Sequence, residues 1–317
     1  MVMLVYGCGS KKDSSSAEDL RTGTQGISIG FLANNPPPVI HADQKSFDII
    51  IEVANTGAYP PLGFETSMGK IYLSGYDKNV LDISPAAQEL NSRGLAGKSV
   101  ISPTGSLALY TFKNSNIQNL NTEKYDAALL ATVCYNYETI AEQSVCIDPD
   151  PYSTVQEKKV CEVKNIQLSS QGAPVAVTSI DEEALQDKTQ FKITIKNVGG
   201  GDIIKNAASD KCNPYASERL NREDLDKVYL SEVKLAGKAL QCKYFAEAPL
   251  EGERGYIRMI NGEGSVICEL SKSSYAFYQQ SKAPFTTPIG IHLQYSYRAT
   301  AQTGIQIKKE MAPGSSK

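Results

Sequence analysis

Apolar residues recur at every second position in several short stretches of the chain. Ile49, Ile51 and Val53 alternate with Ile50, Glu52 and Ala54, and Phe191, Ile193 and Ile195 alternate with Lys192, Thr194 and Lys196. A period of two in β-branched and aromatic residues marks a strand with one buried face. Asn55-Thr56-Gly57 and Asn197-Val198-Gly199 close these strands with turn residues that accept positive φ. Later in each half the chain predicts paired strands, Ala131 to Tyr137 with Gln143 to Ile147 and Gly290 to Tyr297 with Gly304 to Ile307. The short polar connections between them suit hairpins.

The strands repeat. Residues 49–57 match 191–199, Lys70-Ile71-Tyr72-Leu73-Ser74 matches Lys227-Val228-Tyr229-Leu230-Ser231, Gly105-Ser106-Leu107 matches Gly264-Ser265-Val266, and residues 133–137 match 293–297. Order is kept while the offset grows, from Gly57/Gly199 (142) through Ser74/Ser231 (157) to Tyr137/Tyr297 (160). Two tandem copies with about fifteen residues added to the second account for this. The insert, at about 203–226, carries Cys212 and a polar run from Ala216 to Asp226. Short strands separated by Gly, Pro and Asn predict an all-β chain of two tandem antiparallel β-sandwiches. The expected order is a signal remnant and polar tether over 1–25, a first sandwich over 26–150 and a linker over 151–160. A second sandwich over 161–310 and a disordered tail over 311–317 follow.

A strand ending in Asn-x-Gly, a Tyr-Leu-Ser strand and a terminal Tyr-x-Tyr segment together resemble the immunoglobulin-like modules of prokaryotic cell-surface proteins. The adhesion-related modules of archaeal envelope lipoproteins are of this kind, and the resemblance covers residues 26–150 and 160–309. It implies an immunoglobulin-like fold and a surface role. The antibody arrangement of a Trp against an inter-sheet disulfide is absent, because the chain has no Trp. Tyr135, Tyr137, Tyr295 and Tyr297 read as packing residues in preference to a binding face.

Charge and cysteine usage narrow the function. A net charge of -3 gives no basic field for a phosphate backbone, so no nucleic-acid partner is expected. With only His41 and His292, a His-rich metal centre is excluded and nucleophilic triads are disfavoured. Met1-Val2-Met3-Leu4-Val5-Tyr6-Gly7-Cys8 followed by a polar, Ser-rich run resembles the end of a lipoprotein signal, with Cys8 as lipid anchor and Gly9 to Thr24 as tether. Only seven residues precede Cys8, so either the start lies upstream of Met1 or the cysteine is a chance one.

The other six cysteines, Cys134, Cys146, Cys161, Cys212, Cys242 and Cys268, form an even set that fits disulfides in an oxidising compartment. A hairpin would set Cys134 opposite Cys146, the rival being Cys146 with Cys161; Cys212 with Cys242 and Cys161 with Cys268 would complete the first scheme. No two lie within the close spacing of zinc ligands. Asp148 and Asp150, with Asp181-Glu182-Glu183, are weak calcium candidates against a Pro-stiffened spacer. Gly199-Gly200-Gly201 lacks the Lys-Ser/Thr of a phosphate loop, Pro36-Pro37-Pro38 reads as a strand-edge breaker, and no cofactor is expected.

The resulting expectation is a non-enzymatic surface binding or structural protein, anchored to the membrane on the outer face of the envelope, or secreted. Its partner would be a protein or a surface polymer, with self-association compatible. One alternative is a self-assembling subunit of an envelope filament or layer. Another is an envelope enzyme with a polar cleft at the domain junction near Asp148 or His292.

Overall fold

The computed structural model describes residues 20–60, 63, 67–118, 120–153, 159–244, 255–274 and 283–309. Cys8, the rest of the 1–19 segment and the 311–317 tail lie outside the described residues. The chain is almost entirely β. The first copy supplies β1 (Ile27–Phe31), β2 (Val39–His41), β3 (Phe47–Asn55), β4 (Ser67–Ser74), β5 (Leu81–Ser84), β6 (Ala87–Asn91), β7 (Ser106–Ile117) and β8 (Lys124–Ile147). The second supplies β9 (Ile166–Gln167), β10 (Val175–Ala184), β11 (Lys188–Asn197), β12 (Asp202–Ile204), β13 (Lys227–Leu235), β14 (Lys238–Ala239), β15 (Gln241–Tyr244), β16 (Tyr256–Arg258), β17 (Glu263–Ser271) and β18 (Phe285–Lys308).

The sheet order shows the duplication. One small sheet runs β1-β3-β7-β5, and another runs β10-β11-β17-β15 with β9 added at its edge. Both lie against a central sheet of order β14-β13-β18-β8-β4-β6, which has the same pattern on each side of the β18/β8 pair. The copies differ in one hairpin. After β4 the chain enters the small sheet as β5 before returning as β6, whereas after β13 it makes β14 in the central sheet before β15.

The expected terminal hairpins are absent: β8 and β18 each run 24 residues without a turn and pair antiparallel along their whole length. Between Glu138 and Gln143 no Gly, Pro, Asn or Asp supplies turn chemistry, and Thr139 and Ala141 point inward while Glu138, Ile140 and Glu142 point outward. What reads as a polar connection is the outward face of a continuing strand. Each long strand begins over its own copy and ends over the other, so the copies share one core extending from Ile49 and Phe112 to Phe191 and Ile291.

Asn136 and Ser296 are equivalent under the repeat and are also direct partners in the β8–β18 register, so a pseudo-two-fold axis passes between them. Around it the four tyrosines pack as neighbours: Tyr135 lies 5.6 Å from Tyr137 and 5.9 Å from Tyr297, and Tyr137 lies 6.5 Å from Tyr295. A buried phenol needs a partner for its hydroxyl, and each copy provides the same ones. Tyr135 Oη accepts from Ile27 N at 3.1 Å and Tyr295 Oη from Val175 N at 3.4 Å. Tyr137 donates to Asn55 Oδ1 at 3.2 Å and accepts from Tyr59 N at 3.1 Å. Tyr297 donates to Asn197 Oδ1 at 2.8 Å and accepts from Gly201 N at 2.7 Å. The repeated Asn-x-Gly and Tyr-x-Tyr motifs, distant in sequence, are thus two ends of one hydrogen-bonded device.

The glycines of Asn-x-Gly act by size. Neither Gly57 nor Gly199 uses the positive φ that a turn glycine accepts. A Cβ on Gly57 would stand 2.0 Å from Tyr137 Oη, and one on Gly199 2.7 Å from Tyr297 Oη. Gly57→Ala and Gly199→Ala are each expected to lower the unfolding free energy by roughly 1–3 kcal/mol through overpacking. Gly304→Ala, with nothing within 4 Å, should be near neutral. Tyr137→Phe and Tyr297→Phe should cost about 1–3 kcal/mol each, by comparable amounts, because each removes the bond to the Asn side chain and leaves the Tyr59 or Gly201 N–H without the phenol oxygen that accepts from it. Urea titrations of the variants check both statements.

Candidate functional site

All six described cysteines are paired, as Cys134–Cys212, Cys146–Cys161 and Cys242–Cys268. The Cys134–Cys146 pairing fails because both residues lie on one unbroken strand, roughly 40 Å apart at ~3.3 Å per residue; Cys146 takes its rival partner, Cys161. Cys212 and Cys242 are not paired with each other, because Cys212 lies on the far side of the central sheet, at the end of a 3-10 helix over Asn206–Cys212. Cys161 and Cys268 likewise part, Cys268 being directly opposite Cys242 in the β15–β17 register.

The insert explains why only one copy carries an open site. Cys212 bonds to Cys134 on the outward face of β8, Tyr215 Oη donates to the Leu73 carbonyl at 3.1 Å, and Lys78 Nζ stands 3.6 Å over the Tyr215 ring. The second copy's insert therefore covers the first copy's outward face and buries Ser74, Thr132 and Cys134. The equivalent positions in the second copy, Ser231, His292 and Gln294, have no such cover and are not buried.

Over that uncovered face lies a cleft of about 580 Å³. Its floor is built by outward positions on three adjacent strands, Glu232 and Lys234 of β13, Gly290 and His292 of β18, and Ile140 and Glu142 of β8. Its wall is Leu168–Gln171 together with Arg21. Gln171 fixes the wall, accepting from Val177 N and donating to Val177 O, both at 3.0 Å. Ser170 Oγ accepts from Gly23 N at 2.9 Å, so residues 21–25 of the predicted tether lie on the body. Arg21 pairs with Glu142 at 3.6 Å and Lys234 with Glu232 at 2.7 Å. Two cations against two carboxylates leave the cleft without a field for a strongly anionic ligand.

The other predicted residues stand apart from this cleft. Asp148 is buried and ion-paired with Lys159, and its Oδ1 accepts from the Asp150 backbone N–H at 3.0 Å, so its carboxylate braces the chain between the copies. Among the described residues no three His, Cys, Asp or Glu side chains converge as a metal site. His41 lies on β2, paired to the end of β18. Burial pushes the phenols of Tyr135, Tyr137 and Tyr295 well above the ordinary range, which keeps them neutral hydrogen-bonding groups. Of the acidic triplet only Glu182 is buried: Oε2 accepts from Cys146 N at 3.3 Å while Oε1 has no hydrogen-bond partner among the described residues. Burial raises its pKa to about 7.

Sequence reasoning placed His292 near a junction cleft but missed Arg21, Glu142, Glu232, Lys234 and the 168–171 wall. The outward alternation of Glu138, Ile140 and Glu142, read as a strand, would have pointed to part of the floor.

No protein-family model matches the chain, and no curated protein matches it significantly. Among solved structures, the partial N-terminal region of an enterococcal surface protein aligns over 92% of this chain and 87% of its own at 10% identity. Its TM-score of 0.17 is too low to carry an inference about fold or role. The site therefore stands on its own residues.

Two predictions follow from those residues. Non-reducing peptide mapping should recover Cys134–Cys212, Cys146–Cys161 and Cys242–Cys268. Because Glu182 is an acid whose pKa is raised in the folded state, its ionisation opposes folding, so its effect is to make the protein more stable as pH falls from about 7 toward 4.5. Glu182→Gln should flatten the pH dependence in that window and stabilise the chain at pH 8 by an amount on the order of 2–3 kcal/mol, measured by denaturant unfolding at each pH.

Proposed function

We propose that this is a non-enzymatic binding or structural protein of the cell surface, held at the membrane through a lipid on Cys8. The observation that carries this reading is the cysteine arrangement. The six described cysteines are consumed in three bridges, which are typical of oxidising, extracytoplasmic compartments. Cys8, in its Gly-Cys setting before a Ser-rich run, then has no cysteine in the described body to bridge. The architecture suits presentation: the shared central sheet and the Cys134–Cys212 bridge fasten the copies to each other, so whatever the cleft engages meets a preorganised surface.

The cleft's chemistry supports binding over hydrolysis. Glu142 and Glu232 are each held by a cation, so they act as charge partners and not as an unencumbered acid–base pair. Metabolic labelling with a lipid precursor tests the anchor. The wild-type chain should take up label and fractionate with membranes, and Cys8→Ser should lose both; equal, negligible uptake by the two would overturn the tether.

A further inference from the structure

β8 has an occupied edge and an open one. Along its first half β4 pairs with it, the last pair being Gly69 with Tyr135. Beyond Tyr135 no strand of the described residues pairs on that side, while β18 holds the other side as far as Ile147. Two observations fix which backbone groups are left over. The carbonyls of Ala128 and Cys134 face β4, each 2.0 Å from where a Cβ on Gly75 or Gly69 would stand. Cys146 N–H leaves the β8–β18 ladder altogether and donates to Glu182. In an antiparallel pair the N–H and C=O of one residue point to the same side and alternate along the strand. Glu138, Ile140, Glu142 and Ser144 therefore turn their N–H and C=O groups outward, with no backbone partner among the described residues. Ile140, Glu142 and Ser144 also line the cleft, opposite Leu168–Gln171.

We infer that this slot binds an extended segment of a partner polypeptide, which joins the central sheet as a strand beside β8. Donors and acceptors repeating every second residue match a peptide backbone. The pseudo-two-fold axis supplies a precedent within the same molecule. The span of β18 equivalent to 138–144 is 298–304, and on the matching edge single strands flank it, β12 antiparallel at 296–298 and β2 parallel at 306–308. The second copy has no counterpart of β2, because β10 turns directly into β11, and the corresponding end of β8 is closed by the Cys146–Cys161 bridge. An unprotected edge invites sheet-to-sheet aggregation. Here Leu168–Gln171 and Arg21 line the same cleft as Ile140, Glu142 and Ser144, so the edge adjoins other parts of the body. Main-chain bonds would supply affinity, and alternate side chains against Ile140, Leu168 and His292 would supply selectivity. The inference names the partner class for the proposed surface-binding role. It is testable on soluble chain, so its failure leaves the Cys8 result standing.

The probe is a random twelve-residue peptide library displayed on phage and panned on the full, oxidised protein. Enriched peptides, synthesised, should bind wild type and slow hydrogen exchange at the amides of Glu138, Ile140, Glu142 and Ser144. Ile140→Pro removes one outward N–H without touching the β18 ladder, and a proline is tolerated at a strand edge; it should weaken binding by about tenfold or more. If that variant does not fold, the exchange pattern on wild type decides alone. Failure to enrich any peptide overturns the inference. So does enrichment of peptides that leave those four amides unchanged, as recognition by side chains or association between copies would.

Discussion

The pairing of β8 with β18 is the constraint on which the rest of this structure depends. Twenty-four residues of each strand are committed to one antiparallel ladder, so the two copies cannot separate without dismantling the middle of the central sheet. The ladder alone would leave its register weakly specified, since a slip by two residues keeps every side chain on its proper face. The tyrosines remove that freedom. Across the ladder Tyr135 packs on Tyr297 and Tyr137 on Tyr295, Thr139 Oγ1 lies 2.9 Å from Tyr295 Oη and donates to the Val175 carbonyl at 2.6 Å, and a slip would break all of these contacts between the copies.

Near-perfect symmetry at the axis coexists with asymmetry away from it, and the asymmetry creates the candidate site. The insert lies over the first copy's outward face and is fixed there by Cys134–Cys212, the bridge that closes the longest loop, with a sequence separation of 78. In the chain-entropy view that bridge constrains the unfolded chain most, by about 4–5 kcal/mol. The second copy keeps the same face bare, so His292 is half-buried on the floor of a cleft where its counterpart Thr132 is buried. Duplication thus produced two equivalent surfaces, of which one was closed and the other left accessible.

The resemblance to immunoglobulin-like surface modules stands at the level of packed antiparallel sheets; no family match extends it. What the duplicated halves share is sheet order, and what distinguishes this chain from two beads on a string is the exchange of the long strands across the axis.

Local alternation at Ile49 to Ala54 and Phe191 to Lys196, and four ordered matches between the halves, sufficed to read the all-β class and the duplication from sequence. Strand periodicity and repeated motifs are properties of neighbouring residues, and they survive without knowledge of the fold. The Tyr-x-Tyr pairs were legible as packing residues for the same reason. The continuity of β8 was not legible, because Glu138 to Glu142 looks alike as a polar turn and as an outward-facing strand, and only the partner strand decides between them. The disulfide pattern followed that error, since cysteine connectivity depends on distances through space. The cleft was hidden more completely: Arg21, Glu142, Ser170, Lys234 and His292 come from five separate segments. Their meeting is a consequence of the β8–β18 register and of an insert covering one copy and sparing the other, which no local pattern encodes.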